Sequence, residues 1–214
     1  MRLNKPRGAW LWALFLALFI AAEILGGQLI FEEGNRVGLL TSAPTVTPGL
    51  GDIALGKEGA PMLAIVFLSP SCRFCQKFVE GALPDIEKKL INTGRLRIIV
   101  RLLPGDVSEE ENADDVAFIA ALACRPEDER LAALKSAMQT GQEVRKGIND
   151  LADNSGPLLR GCNIRQTRLD VAALAKKERD ALGNIPVPSV VLGRVLIPGG
   201  LNELGFERLL NTAR

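Results

Sequence analysis

Histidine is missing from the chain altogether. Its absence removes Ser-His and Cys-His nucleophile pairs, imidazole proton shuttles and histidine-ligated zinc or copper. Surplus charge is missing too, since 26 Lys+Arg stand against 25 Asp+Glu, a formal +1. Nothing in that balance draws nucleic acid or an acidic substrate, so no nucleic-acid partner is expected and partners must be argued from local sites. No internal repeat or low-complexity tract occurs, and 214 residues with 47% hydrophobic content make one globular domain with a real core plus an additional segment.

Residues 1–7 contain no acid but carry Arg2, Lys5 and Arg7, and residues 8–22 contain no charge of either sign. A cationic start followed by an apolar run reads as an export signal. The apolar character resumes after Glu23, and at ~1.5 Å per helical residue the stretch 10–31 is long enough to cross a bilayer. An uncleaved anchor over residues 1–31 is the preferred reading. The alternative is a cleaved signal peptide, for which Ala21-Ala22 and Gly26-Gly27 offer small residues and Glu23 argues as a poor centre for a lipid-facing helix. Both readings put the remainder of the chain on the periplasmic side of the inner membrane, tethered or free.

Residues 32–51 are expected to be a linker, rich in Pro, Gly and hydroxyl residues after Thr41. The domain is then expected over 52–214. Residues 52–55 fit a short edge strand, and 62–68 form a continuous apolar run of strand length, the pattern of a strand buried on both faces. After Cys75 a helical pattern puts Phe74, Phe78, Leu83, Ile86 and Leu90 on one side, with a kink at Pro84 and a stop at Asn92-Thr93-Gly94. Residues 95–103 read as a second strand, so the two strands and the helix make a βαβ unit with a parallel pair.

Between 108 and 182 there is no strand signal, only helical runs at 110–124, 127–138, 143–152 and 166–182. Residues 183–192 then lead into a strand, Gly193-Arg194 makes a tight turn and 195–197 return as the hairpin partner. A short helix at 202–211 closes the chain, with Leu204, Phe206, Leu209 and Leu210 available to pack on the sheet.

The four cysteines are Cys72, Cys75, Cys124 and Cys162. Cys72-Arg73-Phe74-Cys75 falls between a strand and a helix start, where unpaired N–H groups and the positive end of the helix dipole stabilise a thiolate at Cys72. Cys75, one turn on, is the resolving partner, close enough for a disulfide that closes without moving the backbone. A purely structural bridge gains little from so tight a loop. A four-cysteine zinc site needs a second close pair, which Cys124 and Cys162 are not, so no metal is assigned. Soft thiolates suit Cu(I), but no His or Met stands nearby to complete such a site.

Strand, Cys-x-x-Cys at a helix start, strand, and much later Val187-Pro188 directly before a hairpin strand: this ordered set resembles the thioredoxin superfamily. The long helical insertion narrows the resemblance to the DsbA-like thiol-disulfide oxidoreductases over residues 52–214. The resemblance implies an α/β thioredoxin-like fold, with a helical insertion at about 106–182 between the βαβ half and the C-terminal hairpin and helix. It implies catalytic Cys72 and Cys75, and a cis-proline loop at Val187 and Pro188 whose backbone pairs with substrate. Arg73 and Phe74 stand where family members tune redox poise.

The chain departs from the family in two places. Arg73-Phe74 stands between the cysteines where the best-known DsbA pattern has a His after a Pro, and Val66 holds the position, six before Cys72, where the superfamily often keeps a buried carboxylate beneath the site. Export and the resemblance together favour a structural disulfide between Cys124 and Cys162, worth about 4 kcal/mol by loop entropy, over two buried thiols, a redox relay or a metal site.

The function so implied is disulfide exchange with cysteine-containing proteins, oxidation slightly favoured, without a cofactor and with a membrane redox partner for recycling. The arm at 32–51 has no room for a dimerisation domain, so a monomer is expected. The competing reading is a tethered binding or assembly module, or a Cu(I)-handling protein, that does not catalyse exchange.

Overall fold

The computed structural model describes residues 38–40, 43–105, 109–138, 161–183 and 185–212. The expected anchor or signal at 1–31 and the expected helix at 143–152 lie outside the described residues. Among the described residues, no helix is long and apolar enough to cross a membrane.

Six strands form one mixed sheet: β1 Gly38–Leu39, β2 Ile53–Leu55, β3 Met62–Leu68, β4 Leu96–Leu102, β5 Ser189–Leu192 and β6 Val195–Pro198. Their order is β1-β6-β5-β3-β4-β2, with β3 and β4 parallel and every other pair antiparallel. The apolar run of β3 is explained by its central place. Ala64, Val66 and Leu68 enter one core, while Ile65 and Phe67 enter another on the opposite face. β1 falls within the stretch expected to be linker and pairs with β6, and the buried Leu40 follows it into the core. Two residues are too short a run for alternation to announce a strand.

The helical connection between β3 and β4 opens as α1 (Arg73–Lys77) and passes through a π-helical turn at Phe78–Ala82. It resumes as α2 (Leu83–Ile86), with Pro84 in the first turn, and ends in a second π-helical turn at Glu87–Ile91. Pro84, which has no N–H to give the preceding turn, is thus accommodated directly after the π-helical turn. Phe78, Leu83, Ile86 and Leu90 are buried as their spacing predicts, whereas Phe74 is 70% exposed and stands off the core face.

The insertion contributes α3 (Glu109–Ala123), α4 (Glu127–Ala137) and α5 (Ile164–Leu182), and α6 (Glu203–Thr212) ends the domain. Phe118, Ile119 and Leu122 of α3 share the larger core with Leu134 and Val171 of the neighbouring helices. Phe206 and Leu210 of α6 are buried there too, but Leu204, two residues from Phe206 and so on the opposite side of the helix, is exposed.

Two buried arginines fasten the insertion to the sheet. Arg130 donates to the carbonyls of Ala123 and Arg125 at the end of α3, which satisfies helix C-terminal acceptors, and to the carbonyl of Asp52. Arg101 of β4 donates twice to Asp52 Oδ2, at 2.7 and 3.0 Å, and also reaches Glu178 of α5 and the carbonyl of Thr47. Cys124 and Cys162 form a disulfide joining the end of α3 to the approach to α5, with Thr167 Oγ1 3.7 Å from each sulfur.

Candidate active site

β3 ends at Leu68, and the chain turns through Ser69, Pro70 and Ser71, with the Cys72 N–H donating back to the Ser69 carbonyl at 3.2 Å. Cys72 keeps an extended backbone, φ −79° and ψ 112°, and its carbonyl accepts from the Gln76 N–H, so it is the N-cap of α1. A thiol replaces the usual capping oxygen: Cys72 Sγ accepts the backbone N–H of Cys75 at 3.2 Å. Buried Gln76 ties the turn down by donating Nε2 to the Pro70 carbonyl.

Both cysteines are free thiols, and their surroundings differ sharply. Cys72 is half-buried. The side-chain hydrogen bond from Cys75 does most to lower its pKa, to about 6, helped by the backbone N–H groups of Cys75 and Phe74 and opposed by burial and by the charge of Asp115. Burial pushes the Cys75 thiol strongly upward, the adjacent Cys72 adds to that, and the Ser69 N–H, 3.4 Å from its sulfur, only partly opposes it. One sulfur is therefore held as a reachable nucleophile and the other as a buried, protonated thiol.

Of the two residues between them, Phe74 helps through its backbone N–H, while its exposed ring stands beside the site with Lys77 Nζ 5.8 Å from the centroid. Arg73 is exposed, and the stabilisation of Cys72 comes chiefly from Cys75 and from main-chain donors.

Val187-Pro188 reaches the site because β5 runs antiparallel to β3 with Phe67 opposite Ser189, which sets the preceding loop beside the end of β3. The Val187-Pro188 peptide is cis. The Val187 carbonyl lies 3.5 Å from Cys72 Sγ, and the Pro188 carbonyl accepts the Gly199 N–H at 2.8 Å. Cys72 and the loop expected to face it are thus in contact.

Sequence reasoning missed one residue of the site. Val66 is buried in the core and no carboxylate stands in its place, but Asp115 of α3 arrives from the insertion and is fully buried. Its Oδ1 accepts the Ser71 N–H at 3.0 Å, and its Oδ2 accepts Ser69 Oγ at 2.8 Å, Ser71 Oγ at 2.9 Å and the Gly105 N–H at 2.6 Å. Burial raises its pKa, and these four donors pull it back. A signal was present: Asp115 shares the helical face of Phe118, Ile119 and Leu122, an acid in an apolar stripe.

The family model described as Thioredoxin matches residues 49–211. The chain belongs to the thioredoxin family. Solved structures show the same fold around this thioredoxin-family site. Wolbachia pipientis alpha-DsbA1 superposes with a TM-score of 0.60 at 19% identity, covering 78% of this chain and 93% of that one. The catalytic domain of Proteus mirabilis ScsC gives 0.60 at 16%, with 78% and 92% covered. Oxidised BdbD from Bacillus subtilis gives 0.58 at 16%, with 81% and 98% covered. No curated protein matches by sequence. In this thioredoxin-family chain the helical insertion is therefore an architectural feature that DsbA-like folds share.

Proposed function

We propose that the protein is a thiol-disulfide oxidoreductase that exchanges disulfides with cysteine-containing proteins and runs in the oxidising direction. The observation that carries this reading is the asymmetry of the pair. Cys72 is reachable and its pKa is lowered to about 6, while Cys75 is buried and strongly raised. A low pKa at the reachable cysteine stabilises the dithiol form and makes Cys72 the better leaving group, both of which favour handing the disulfide to a substrate.

In that direction a substrate thiolate attacks Cys72 Sγ of the disulfide. The Cys72–Cys75 bond breaks as the mixed disulfide forms, and Cys75 leaves with the electron pair and takes up a proton. A second substrate thiolate then attacks its own bridged sulfur and releases Cys72 as a thiolate, so the substrate loses two electrons and the enzyme gains them. The Val187 carbonyl beside Cys72 offers a main-chain acceptor to an extended substrate, a contact blind to sequence. The exposed Phe74 ring adds apolar surface for an unfolded chain.

Export, tethering through residues 10–31 and recycling by a membrane redox partner belong to the same proposal, and their support is the charge pattern of the N-terminal segment. A reporter fused after Arg214 tests the topology, and activity confined to the cytosolic side would contradict it. For the chemistry, Cys75→Ser should accumulate mixed disulfides through Cys72 in cells, and none trapped would sink the enzymatic reading. A reduction potential at or above that of glutathione fixes the oxidising direction, whereas one near thioredoxin reverses it.

A further inference from the structure

Asp115 is unusual in where it comes from and in what it holds. It belongs to the helical insertion, yet its hydrogen-bond partners belong to the turn that delivers Cys72 and to Gly105 beyond β4. All four donors are neutral, and two are backbone N–H groups that can only donate, a set that suits an ionised carboxylate. The approach is close enough that a Cβ on Gly105 would stand 2.8 Å from Ser71 Oγ and 3.2 Å from Asp115 Oδ2. Ser69 connects the carboxylate to the redox pair, since its hydroxyl donates to Asp115 while its N–H donates to Cys75 Sγ.

Taking Cys72–Cys75 as the redox pair described above, we propose that Asp115 is a positioning residue that clamps the Ser69–Ser71 turn and, through its fixed negative charge, limits how oxidising the pair is. Reduction of the pair by glutathione breaks the Cys72–Cys75 bond and forms one glutathione disulfide. Two electrons pass to the protein, Cys75 keeps one proton, and the second is released because Cys72 stays a thiolate. That step adds a negative charge at Cys72, and a carboxylate anchored to the adjoining turn opposes it.

The titratable groups that feel Asp115 are Cys72 and Cys75, both raised by its charge. On α3 its neighbour Asp114 is half-buried, and on α1 Arg73 and Lys77 are exposed, so solvent weakens their share. An acid at Val66 would have come from the sheet beneath the pair, whereas Asp115 reaches the turn from the insertion. The tuning of the site is thereby divided between two parts of the fold.

The test is Asp115→Asn, which removes the charge and retains an amide oxygen for most of the donors. Equilibration of the purified protein with reduced and oxidised glutathione should shift toward the dithiol by about threefold or more, and the pH midpoint of Cys72 alkylation should fall by about half a unit or more. A wild-type equilibrium and midpoint, or a shift toward the disulfide, would overturn the proposal.

Should the variant fail to fold, the wild-type protein suffices. The carbon NMR titration curve of the Asp115 carboxyl should carry an inflection near pH 6 in the dithiol form that the disulfide form lacks, because the Cys72 thiolate that forms there acts on the carboxylate. Equal titration in both forms overturns the proposal. Failure of glutathione to exchange with the wild-type pair would instead count against disulfide chemistry, and unequal titration of Asp115 in chemically prepared dithiol and disulfide forms would still support its coupling to Cys72.

Discussion

The backbone N–H of Cys75 donates to the Sγ of Cys72 over 3.2 Å, so the buried cysteine of the pair helps hold the other sulfur as an anion. Together with its thiol, this contact makes Cys75 the main source of the lowered pKa at Cys72. Cys75→Ala should therefore raise the pH midpoint of Cys72 alkylation from about 6 by about one unit, because only the backbone part survives. Arg73→Ala should move it by less than about 0.3 units, since an exposed guanidinium is screened by solvent and salt. A large shift on losing Arg73 with none on losing the Cys75 thiol would contradict this assignment.

The two cysteines should make stability depend on pH in the dithiol form only. Cys72 ionises more readily folded than unfolded, where an ordinary thiol sits at 9.0. Its contribution is fully present above that value and is lost as pH falls through about 6. Cys75 is raised, so its contribution is present below the ordinary thiol range and is lost only as pH climbs through it. Denaturant unfolding should show the dithiol protein gaining on the disulfide protein between about pH 5.5 and pH 8, by about 1–2 kcal/mol once solvent screening at a half-exposed sulfur is discounted. Parallel curves for the two forms would argue against the lowered pKa.

The second disulfide should act on stability alone. Cys124 and Cys162 are 38 positions apart, and opening that loop by a double substitution to Ala should cost about 2–4 kcal/mol. The alkylation midpoint of Cys72 should stay where it is. A changed midpoint would show that the disulfide communicates with the site.

Arg101→Met should be among the most damaging single substitutions away from the cysteines. It strands Asp52, a buried carboxylate left with the Gly49 N–H at 2.8 Å. Removing one partner of such a pair costs about 3–5 kcal/mol, because the remaining charge is left in a poor solvent. Thermal unfolding measures it, and a change below about 0.5 kcal/mol would show that water reaches Asp52.

Much of the fold could be read from the chain because its central strands are local patterns. Residues 62–68 announce β3 by an unbroken apolar run, and Gly193-Arg194 separates the two arms of the β5–β6 hairpin. The site was legible where it is local, at Cys72 and Cys75, and where resemblance supplied the distant part at Val187-Pro188. What escaped depends on register between elements. Asp115 shows in the sequence only as an acid within an apolar stripe, and what it binds depends on the rotation of α3 against the Ser69–Ser71 turn. Phe74 shares the spacing of core residues, but it sits in the first turn of α1 and stays exposed. β1 has too few residues to show a period at all.

Asp52 is bound at once by β4 through Arg101, by α4 through Arg130 and by the preceding segment through Gly49. A swing of the insertion away from the sheet would have to break charged contacts at the same buried point. The insertion and the sheet are therefore fastened at a point that neither can leave without uncovering a charge.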